Sequence, residues 1–254
     1  MKLTKKNYYG KNANRNYMSY SQFKDFCKCP AMAMAKIKGE YKQPMTDSLL
    51  VGSYVDSWLD GPRAFELFKA EHPEILNSRT GELKANFRQA EEICQMIKKD
   101  KYLRKLLAGR RQKIFTCNIL GVPFKAKLDS LHPDKIVDGK VLRDCQDAWI
   151  DGDKKPFIYI NRYDLQAAIY QTAVEQNTGK KLPFYLAVTT KETVPDKRVF
   201  KISDEVIEEA LQEIMRKAPT FQAMKEGKIP VPRCGHCDYC KSIKKLSEQD
   251  IEEI

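Results

Sequence analysis

Apolar residues recur with the helical period in several stretches of the chain. Between about residues 84 and 107 they form one continuous side, which predicts a single long helix. Ser19 and Gln22 form a capping box, so a helix is expected to begin there. Three more helices are predicted over the segments LLVGSYVDSWLDG, RYDLQAAIYQTAVEQN and SDEVIEEALQEIMRKA, the last with a bend at Pro219.

The pattern changes to a period of two in the middle of the chain. The runs RQKIFTCNIL, VPFKAKLDSL and KIVDGKVL predict three consecutive strands, and LPFYLAVTT and RVFKIS predict two more. The segment RDCQDAWIDGDKKPF between them is polar and is predicted to be a loop. The resulting order is helices, a β-meander, a helix, two strands and a helix, which predicts a mixed α/β domain.

The composition is that of a globular protein with a basic surface. The 254 residues are 42% hydrophobic and 31% charged, and no apolar run reaches the roughly 20 residues of a membrane helix. The N-terminus lacks the apolar stretch of a secretory signal, so a cytoplasmic location is expected. The net charge of +11 favours a polyanionic partner such as nucleic acid, and a basic surface that serves only solubility is the alternative.

Eight cysteines need an explanation in a chain expected in the cytoplasm, where stable disulfides are uncommon. Three are scattered singly and are expected to be small buried residues. The other five are clustered, and this clustering indicates metal binding and not disulfide bonds. These five lie near the two ends of the sequence: Cys27, Cys29, Cys234, Cys237 and Cys240.

Three charged residues stand close together in the predicted β-hairpin. Because strand side chains alternate between faces, Asp138 and Lys140 should project from the same face. The turn before this strand should bring Asp129 beside Asp138. Two facing carboxylates repel each other unless a cation lies between them, and a divalent ion such as magnesium suits that place. The alternative is a charged strand face exposed to solvent.

These residues resemble a known signature. Asp129, followed by the D-G-K segment from Asp138 to Lys140 at the end of an apolar strand, resembles the motif of the PD-(D/E)xK nuclease superfamily. On the next predicted helix, Gln166 and Tyr170 match the Q-x-x-x-Y motif of its RecB-like branch. Their i, i+4 spacing puts both on one helical face.

A third motif lies upstream. Gly52 and Asp56 match the G-x-x-x-(H/E/D) helix of the same branch, in which the acidic residue or histidine is a further metal ligand. The glycine is expected to let this helix approach its neighbour closely. The match covers roughly residues 17 to 246 and implies a restriction-endonuclease-like core with a central mixed β-sheet flanked by helices. The expected parts of one nuclease domain, 1–254, are a helical part at 1–109, a nuclease core at 110–227 and a cysteine-rich segment at 228–254.

The resemblance, strongest to phage-encoded RecE-type exonucleases, implies a Mg²⁺- or Mn²⁺-dependent DNA exonuclease with Asp129, Asp138 and Asp56 as metal ligands. Lys140 would position the attacking water, and the Q-x-x-x-Y pair would orient that water or the scissile phosphate. A role in phage recombination, a single-strand annealing protein as partner and a homo-oligomer are implied as well. Two alternatives stay open: a non-catalytic DNA-binding protein with a zinc module, and a DNA endonuclease.

The terminal cysteines resemble those of AddB-type nucleases and of CRISPR-associated exonucleases with iron–sulfur clusters. In those proteins one cysteine precedes the nuclease core and three follow it, a pattern that Cys29, Cys234, Cys237 and Cys240 match. The resemblance implies a [4Fe–4S] cluster held by four thiolates. The C-x2-C-x2-C spacing is tighter than in those relatives, which leaves zinc as the alternative.

Overall fold

The computed structural model describes residues 1–150 and 152–246, without the side chain of Ile150. Two compact units make up the described chain. The first contains Met1–Gln43, Asn118–Lys125 and the described residues from Glu213 onward; the second contains Pro44–Cys117 and Ala126–Gln212. The end of the predicted cysteine-rich segment lies outside the described residues. Within the described ranges, no helix has the length and apolar character needed to cross a membrane.

Helices and strands follow the order expected from the sequence. The strands are β1 Met18–Ser19, β2 Arg110–Ile119, β3 Val122–Leu131, β4 Ile136–Leu142, β5 Ala148–Ile150, β6 Asp153–Lys155, β7 Phe184–Thr190 and β8 Lys197–Ile202. The α-helices are α1 Lys11–Asn16, α2 Tyr20–Lys28, α3 Pro30–Lys38, α4 Asp47–Leu59, α5 Pro62–Glu71, α6 Ala85–Lys99, α7 Lys101–Leu107, α8 Phe157–Ile160, α9 Tyr163–Thr178, α10 Asp204–Lys225 and α11 Asp238–Ser242, with a 3-10 turn at Pro73–Ile75.

The second unit is built on a mixed β-sheet. Strands β3 and β4 pair antiparallel, β4 and β7 parallel, and β7 and β8 antiparallel, while β2 pairs with β3. Val137 of β4 packs in a core with Leu50 of α4 and Ile93 of α6. Because alternate strand residues face opposite sides, Asp138 and Lys140 point away from that core. The mixed α/β fold with a central sheet flanked by helices, predicted from the sequence, is confirmed.

Two local predictions for the second unit are wrong. The helix expected over residues 84 to 107 is divided at Asp100, whose Oδ1 accepts hydrogen bonds from the backbone N–H groups of Tyr102 (3.0 Å) and Leu103 (2.9 Å) and so caps a new helix. The segment expected to be a loop contains the β5–β6 hairpin, in which Trp149 pairs with Lys154. Both errors have a local cause. The apolar period of the helices continues across the Asp100 cap, and a short polar strand such as β6 has no apolar alternation.

Caps define the helices of the first unit. Ser19 Oγ accepts a hydrogen bond of 3.2 Å from the Gln22 backbone N–H, which confirms the predicted start of α2. Cys29 ends α2 and caps α3, since its sulfur accepts a hydrogen bond of 3.5 Å from the Met32 backbone N–H. Helix α10 is continuous through Pro219.

Lys125, which is buried, and Lys225, which is half-buried, hold the amino-terminal segment of the first unit. Lys125 Nζ donates to the carbonyl oxygen of Tyr8 and to Asn14 Oδ1, both at 2.6 Å. Lys225 Nζ donates to the carbonyl oxygen of Tyr17 at 3.0 Å. Burial lowers the pKa of each lysine to about 8. The segment from Tyr8 to Tyr17 is thus held to the first unit through two lysine side chains.

Candidate functional site

Strand β4 and helix α9 together hold a buried carboxylate. Asp138 is 1% exposed, and its Oδ1 accepts a hydrogen bond of 2.7 Å from Gln166 Nε2. Its Oδ2 forms an ion pair with Lys140 Nζ, two residues along the same face of the strand. The Lys140 ammonium also lies 5.2 Å from the centre of the Tyr163 ring. The structure therefore brings Asp138, Lys140 and Gln166 into direct contact.

Two more carboxylates act on this group. Asp129 Oδ2 accepts a hydrogen bond of 3.3 Å from the backbone N–H of Gly139. Asp56 of α4 lies within the electrostatic influence of Asp129: burial, reinforced by the Asp129 charge, raises the pKa of Asp56 to about 7. Burial also raises the pKa of Asp138, with Lys140 opposing the change and Asp129 adding to it. The three carboxylates and the lysine are thus one coupled set.

The charge of Lys140 depends on its neighbours. Burial by itself would lower the pKa of Lys140, but Asp138 and Asp129 hold that pKa above its usual value. The Tyr163 phenol, whose own pKa is raised by burial, adds a ring face beneath the ammonium. Lys140 is therefore a fixed cation in the site.

The oxygens of the site suit a hard divalent cation. Asp138 Oδ2, apart from its ion pair with Lys140, and Gln166 Oε1 are buried oxygens without a hydrogen bond in the described structure. Carboxylate oxygens are the ligands that magnesium and manganese prefer. The oxygens of Asp56, Asp129 and Asp138 are not all within 4.8 Å of one another, so the described arrangement is a coupled carboxylate group and not a closed cage. The donor set fits a site of few protein ligands completed by water and phosphate.

The remaining motif residues have different surroundings. Tyr170 is buried one turn after Gln166, and its ring lies edge-on to Phe184, with centroids 6.2 Å apart. Gly52 lies one turn before Asp56 on α4, but a Cβ built there meets no atom within 4 Å. The expectation that Gly52 permits close helix packing is therefore wrong, because the space beside it is open.

Sequence reasoning missed three residues of the site. Tyr163 lies three positions before Gln166, so helical spacing alone could have placed it on the same side. Asp60 follows Asp56 by one turn and pairs with Arg111, whose Nε donates to Asp60 Oδ1 at 2.8 Å. The Arg111 charge opposes the rise in the pKa of Asp56. No local pattern connects Arg111 to α4, because the two are joined only by tertiary structure.

A second group of ligand-type residues lies in the first unit. The sulfurs of Cys29, Cys234, Cys237 and Cys240 all lie within 4.8 Å of one another, and they are the only such set of His, Cys, Asp or Glu in the part of the chain that the structure describes. Cys240 Sγ is 3.7 Å from Cys29 Sγ and 3.9 Å from Cys234 Sγ. Cys27, the remaining cysteine near the N-terminus, is not a member of the set.

Backbone groups and neighbouring side chains fix these thiols. The backbone N–H of Cys237 donates to Cys234 Sγ at 3.4 Å, and that of Cys240 donates to Cys237 Sγ at 3.5 Å. Burial opposes ionisation of Cys234, but hydrogen bonds from the Cys237 and His236 backbones lower its pKa to about 6. The rings of Tyr41 and Tyr239 pack against each other at 5.3 Å beside the thiols. The four sulfurs therefore form a compact group with the donor atoms to hold a metal ion.

Comparisons with known proteins agree with this geometry. Residues 19–243 match the family described as a PDDEXK-like domain of unknown function (DUF3799). A crystal structure of a protein from Eubacterium rectale, described as a "putative exonuclease", is 40% identical; the alignment covers 98% of this chain and 96% of that chain, with a TM-score of 0.93. No curated protein matches. The chain therefore belongs to the PDDEXK-like family and, with it, to the PD-(D/E)xK nuclease superfamily.

Proposed function

We propose that this protein is a metal-dependent DNA exonuclease. The observation that carries the proposal is the contact set around Asp138, which joins Lys140 and Gln166 directly and is coupled to Asp129 and Asp56. A surface that only bound DNA would have no need to bury a carboxylate against a lysine and beside two other carboxylates. Burial of charged groups costs stability, and such groups are concentrated at sites where they take part in a reaction.

The residues have distinct roles in this proposal. Asp129, Asp138 and Asp56 would hold Mg²⁺ or Mn²⁺, which when bound activates water and offsets charge on the phosphate oxygens. Lys140 remains an ammonium and donates hydrogen bonds to the attacking water or to the phosphate. Gln166 holds Asp138 in place through its 2.7 Å hydrogen bond. Tyr170 supports the same helix face and orients the water or phosphate.

The exonuclease assignment is supported by the relative from Eubacterium rectale, which is described as a "putative exonuclease" and is 40% identical over nearly the whole chain. The net charge of +11 suits a DNA substrate. In this proposal the protein acts in the host cytoplasm, where it degrades duplex ends and leaves single strands for an annealing protein in phage recombination. The RecE-type motifs are the support for that setting.

One assay distinguishes the proposed activity from its rivals. Purified protein is incubated with magnesium and either end-labelled linear duplex or closed circular DNA. Loss of linear DNA alone is the expected result. Cutting of the circles would replace the exonuclease with an endonuclease. If linear and circular DNA both stay intact in magnesium and in manganese, the protein is not a nuclease. A non-catalytic DNA-binding protein would then be the remaining alternative.

We propose in addition that the four-cysteine group holds one zinc ion. A tetrahedral zinc with Zn–S bonds of about 2.3 Å separates its sulfurs by about 3.8 Å. The two separations of 3.7 and 3.9 Å agree with that value. In a [4Fe–4S] cluster each thiolate binds a different iron at a different corner of a cube, so the sulfurs stand farther apart. The spacing therefore supports zinc over the iron–sulfur cluster that the resemblance implies.

A further inference from the structure

A groove of about 740 Å³ in the second unit carries aromatic and basic side chains together. We call it the β8 groove and define it by Phe157, Phe200, Arg198, Lys154 and Lys201, all of which line it. The Phe157 and Phe200 rings pack against each other with centroids 4.9 Å apart. The Arg198 guanidinium lies 4.8 Å from the centre of the Phe200 ring. Stacked guanidinium and aromatic planes of this kind are a platform for nucleobases.

The charge of the groove favours an anion. Lys154, Arg198 and Lys201 are cationic, and Asp147 is the acidic residue among the described side chains that line the groove. Asp147 is 3.6 Å from Lys154, and both side chains are exposed. Such a pair has little strength in water, so Lys154 can exchange it for a phosphate. Cys145, also in the lining, remains a neutral thiol because burial raises its pKa.

A line of ring contacts connects the β8 groove to the candidate active site. The Phe157 ring that packs on Phe200 also contacts the Tyr163 ring, with centroids 6.4 Å apart. Tyr163 in turn lies 5.2 Å from Lys140 Nζ. The groove is thus two ring contacts away from the lysine that pairs with Asp138. Strand pairing also places the groove beside the site, since Leu186 of β7 pairs with both Asp138 of β4 and Phe200 of β8.

The β5–β6 hairpin adds an exposed aromatic residue at the same place. Trp149 is 74% exposed, and its pairing partner on the opposite strand is Lys154, which lines the groove. The hairpin lies in the sequence between Lys140 and Gln166, the two residues that contact Asp138. The exposed indole is available to stack on a nucleobase.

We propose that the β8 groove and Trp149 bind single-stranded DNA beside the active site, with bases stacked on the rings and phosphates on the cations. The proposal rests on the proposed function: the strand of a duplex end that is being cleaved would lie in the groove in single-stranded form. Single-stranded DNA is favoured over duplex because its base faces are accessible to rings, whereas duplex stacking hides all but the terminal pair. The excess of cations supplies the complementary charge.

The intrinsic fluorescence of Trp149 tests binding without cleavage. The chain has two tryptophans, and Trp58 packs against the core of the second unit. Full-length protein is titrated with oligodeoxythymidylate in calcium, without magnesium or manganese, and gels verify that the DNA is intact. We expect quenching that saturates in wild type and is lost in Trp149→Phe. No quenching, or equal quenching by a closed-hairpin duplex, would overturn the proposal.

A matched pair of variants tests the groove itself. Arg198→Ala removes the cation over Phe200, and Lys197→Ala removes one charge from the adjacent position of β8, where Lys197 pairs with Asp100 at 2.5 Å. We expect Arg198→Ala to raise the Kd for oligodeoxythymidylate about tenfold, as loss of a stacking contact does. Lys197→Ala should change the Kd less than about twofold. Equal Kd values for the two variants would show that the β8 groove does not bind single-stranded DNA.

The two proposals fail separately. If neither magnesium nor manganese supports cleavage but Trp149 still reports binding, the exonuclease is overturned and the single-strand site stands. If DNA is cleaved but Arg198→Ala binds oligodeoxythymidylate like Lys197→Ala, the nuclease stands and the β8 groove does not bind the strand.

Discussion

Gln166 Nε2 donates a hydrogen bond of 2.7 Å to Asp138 Oδ1, and both side chains are buried. Helix α9, which lies in the chain between strands β4 and β7, therefore fixes the carboxylate that β4 presents. This relationship gives the Q-x-x-x-Y motif a physical role in this chain: its glutamine acts on the proposed metal ligand through a hydrogen bond. Gln166 is therefore a positioning residue, and its removal should change both the cleavage rate and the stability of the protein.

Gln166→Ala should lower the cleavage rate about 10- to 100-fold, as loss of a partner to a metal ligand does. It should also lower the free energy of unfolding by about 1–3 kcal/mol, because Asp138 loses a buried donor. Gln171→Ala is the matched control: Gln171 is buried on the same helix and donates to the Leu182 carbonyl at 2.9 Å. The control should lose similar stability but keep its activity. Equal cleavage rates for the two variants would contradict the role of Gln166.

Asp138→Asn removes a proposed metal ligand. It should therefore reduce the cleavage rate by more than the roughly 10- to 100-fold loss that follows removal of a residue hydrogen-bonded to a metal ligand. DNA affinity should rise slightly because one carboxylate that repels phosphate is neutralised. Asp134→Asn makes the same change of charge in the exposed turn before β4 and is the control. Rates from linear duplex in magnesium and Kd values in calcium check both statements. Retention of most of the cleavage rate in Asp138→Asn would remove Asp138 from the site.

Gly52→Ala should stabilise the protein by about 0.5–1 kcal/mol, because glycine within a helix has excess backbone freedom when unfolded. The structure has room for the new methyl group, since no atom lies within 4 Å of that position. Gly179→Ala should have the opposite sign, because Gly179 ends α9 with a φ of +71°. Chemical denaturation of the two variants checks the prediction. Destabilisation by Gly52→Ala would show that the helix is packed at this point.

Lys125 makes stability depend on pH. Below pH 8 both the folded and unfolded chains carry its proton; between about 8 and 10.5 the folded protein releases that proton while the unfolded chain keeps it. The contribution of Lys125 to stability therefore rises with pH. The buried thiols Cys94 and Cys117 act in the opposite direction, because burial raises the pKa of each to about 12.

The contribution of Lys125 is therefore measured as the difference in stability between wild type and a variant that lacks this lysine. From pH 7 to 9.5 the stability of wild type relative to Lys125→Met should rise by up to about 2 kcal/mol, measured by denaturation at each pH. Lys28→Met, at an exposed position of the same unit, controls for the change of net charge. A constant difference between wild type and Lys125→Met would show that Lys125 titrates as it does in the unfolded chain.

Elemental analysis of purified protein should find one zinc and no iron per chain, because the sulfur separations match a single tetrahedral ion. Cys234→Ser should lose the metal and lower the melting temperature, since metal binding is coupled to folding. Cys27→Ser, outside the four-sulfur set, should keep both. About four irons per chain and a brown colour would restore the [4Fe–4S] cluster. Absence of both metals would overturn the metal centre.

The sequence predicts those features that depend on short stretches of chain. Alternation along β4 puts Asp138 and Lys140 on one face, and the helical period of α9 puts Gln166 and Tyr170 on one face. The β5–β6 hairpin is not apparent because its strands are three residues long and its second strand is DKK, a sequence with low strand propensity. The approach of Arg111 to Asp60 depends on tertiary packing, which no periodicity encodes.

The contact between Cys29 and Cys240 spans 211 positions of sequence. A ribosome adding about 5–20 residues per second needs roughly 10–40 seconds to synthesise the chain between them. Throughout that interval Cys29 exists on the nascent chain without its partner thiols, so no metal can yet be held by all four sulfurs. Loading of the proposed zinc would therefore be a late event that follows release of the C-terminal cysteines from the ribosomal tunnel. In a metal-starved cell, complete chains would accumulate with this last step undone.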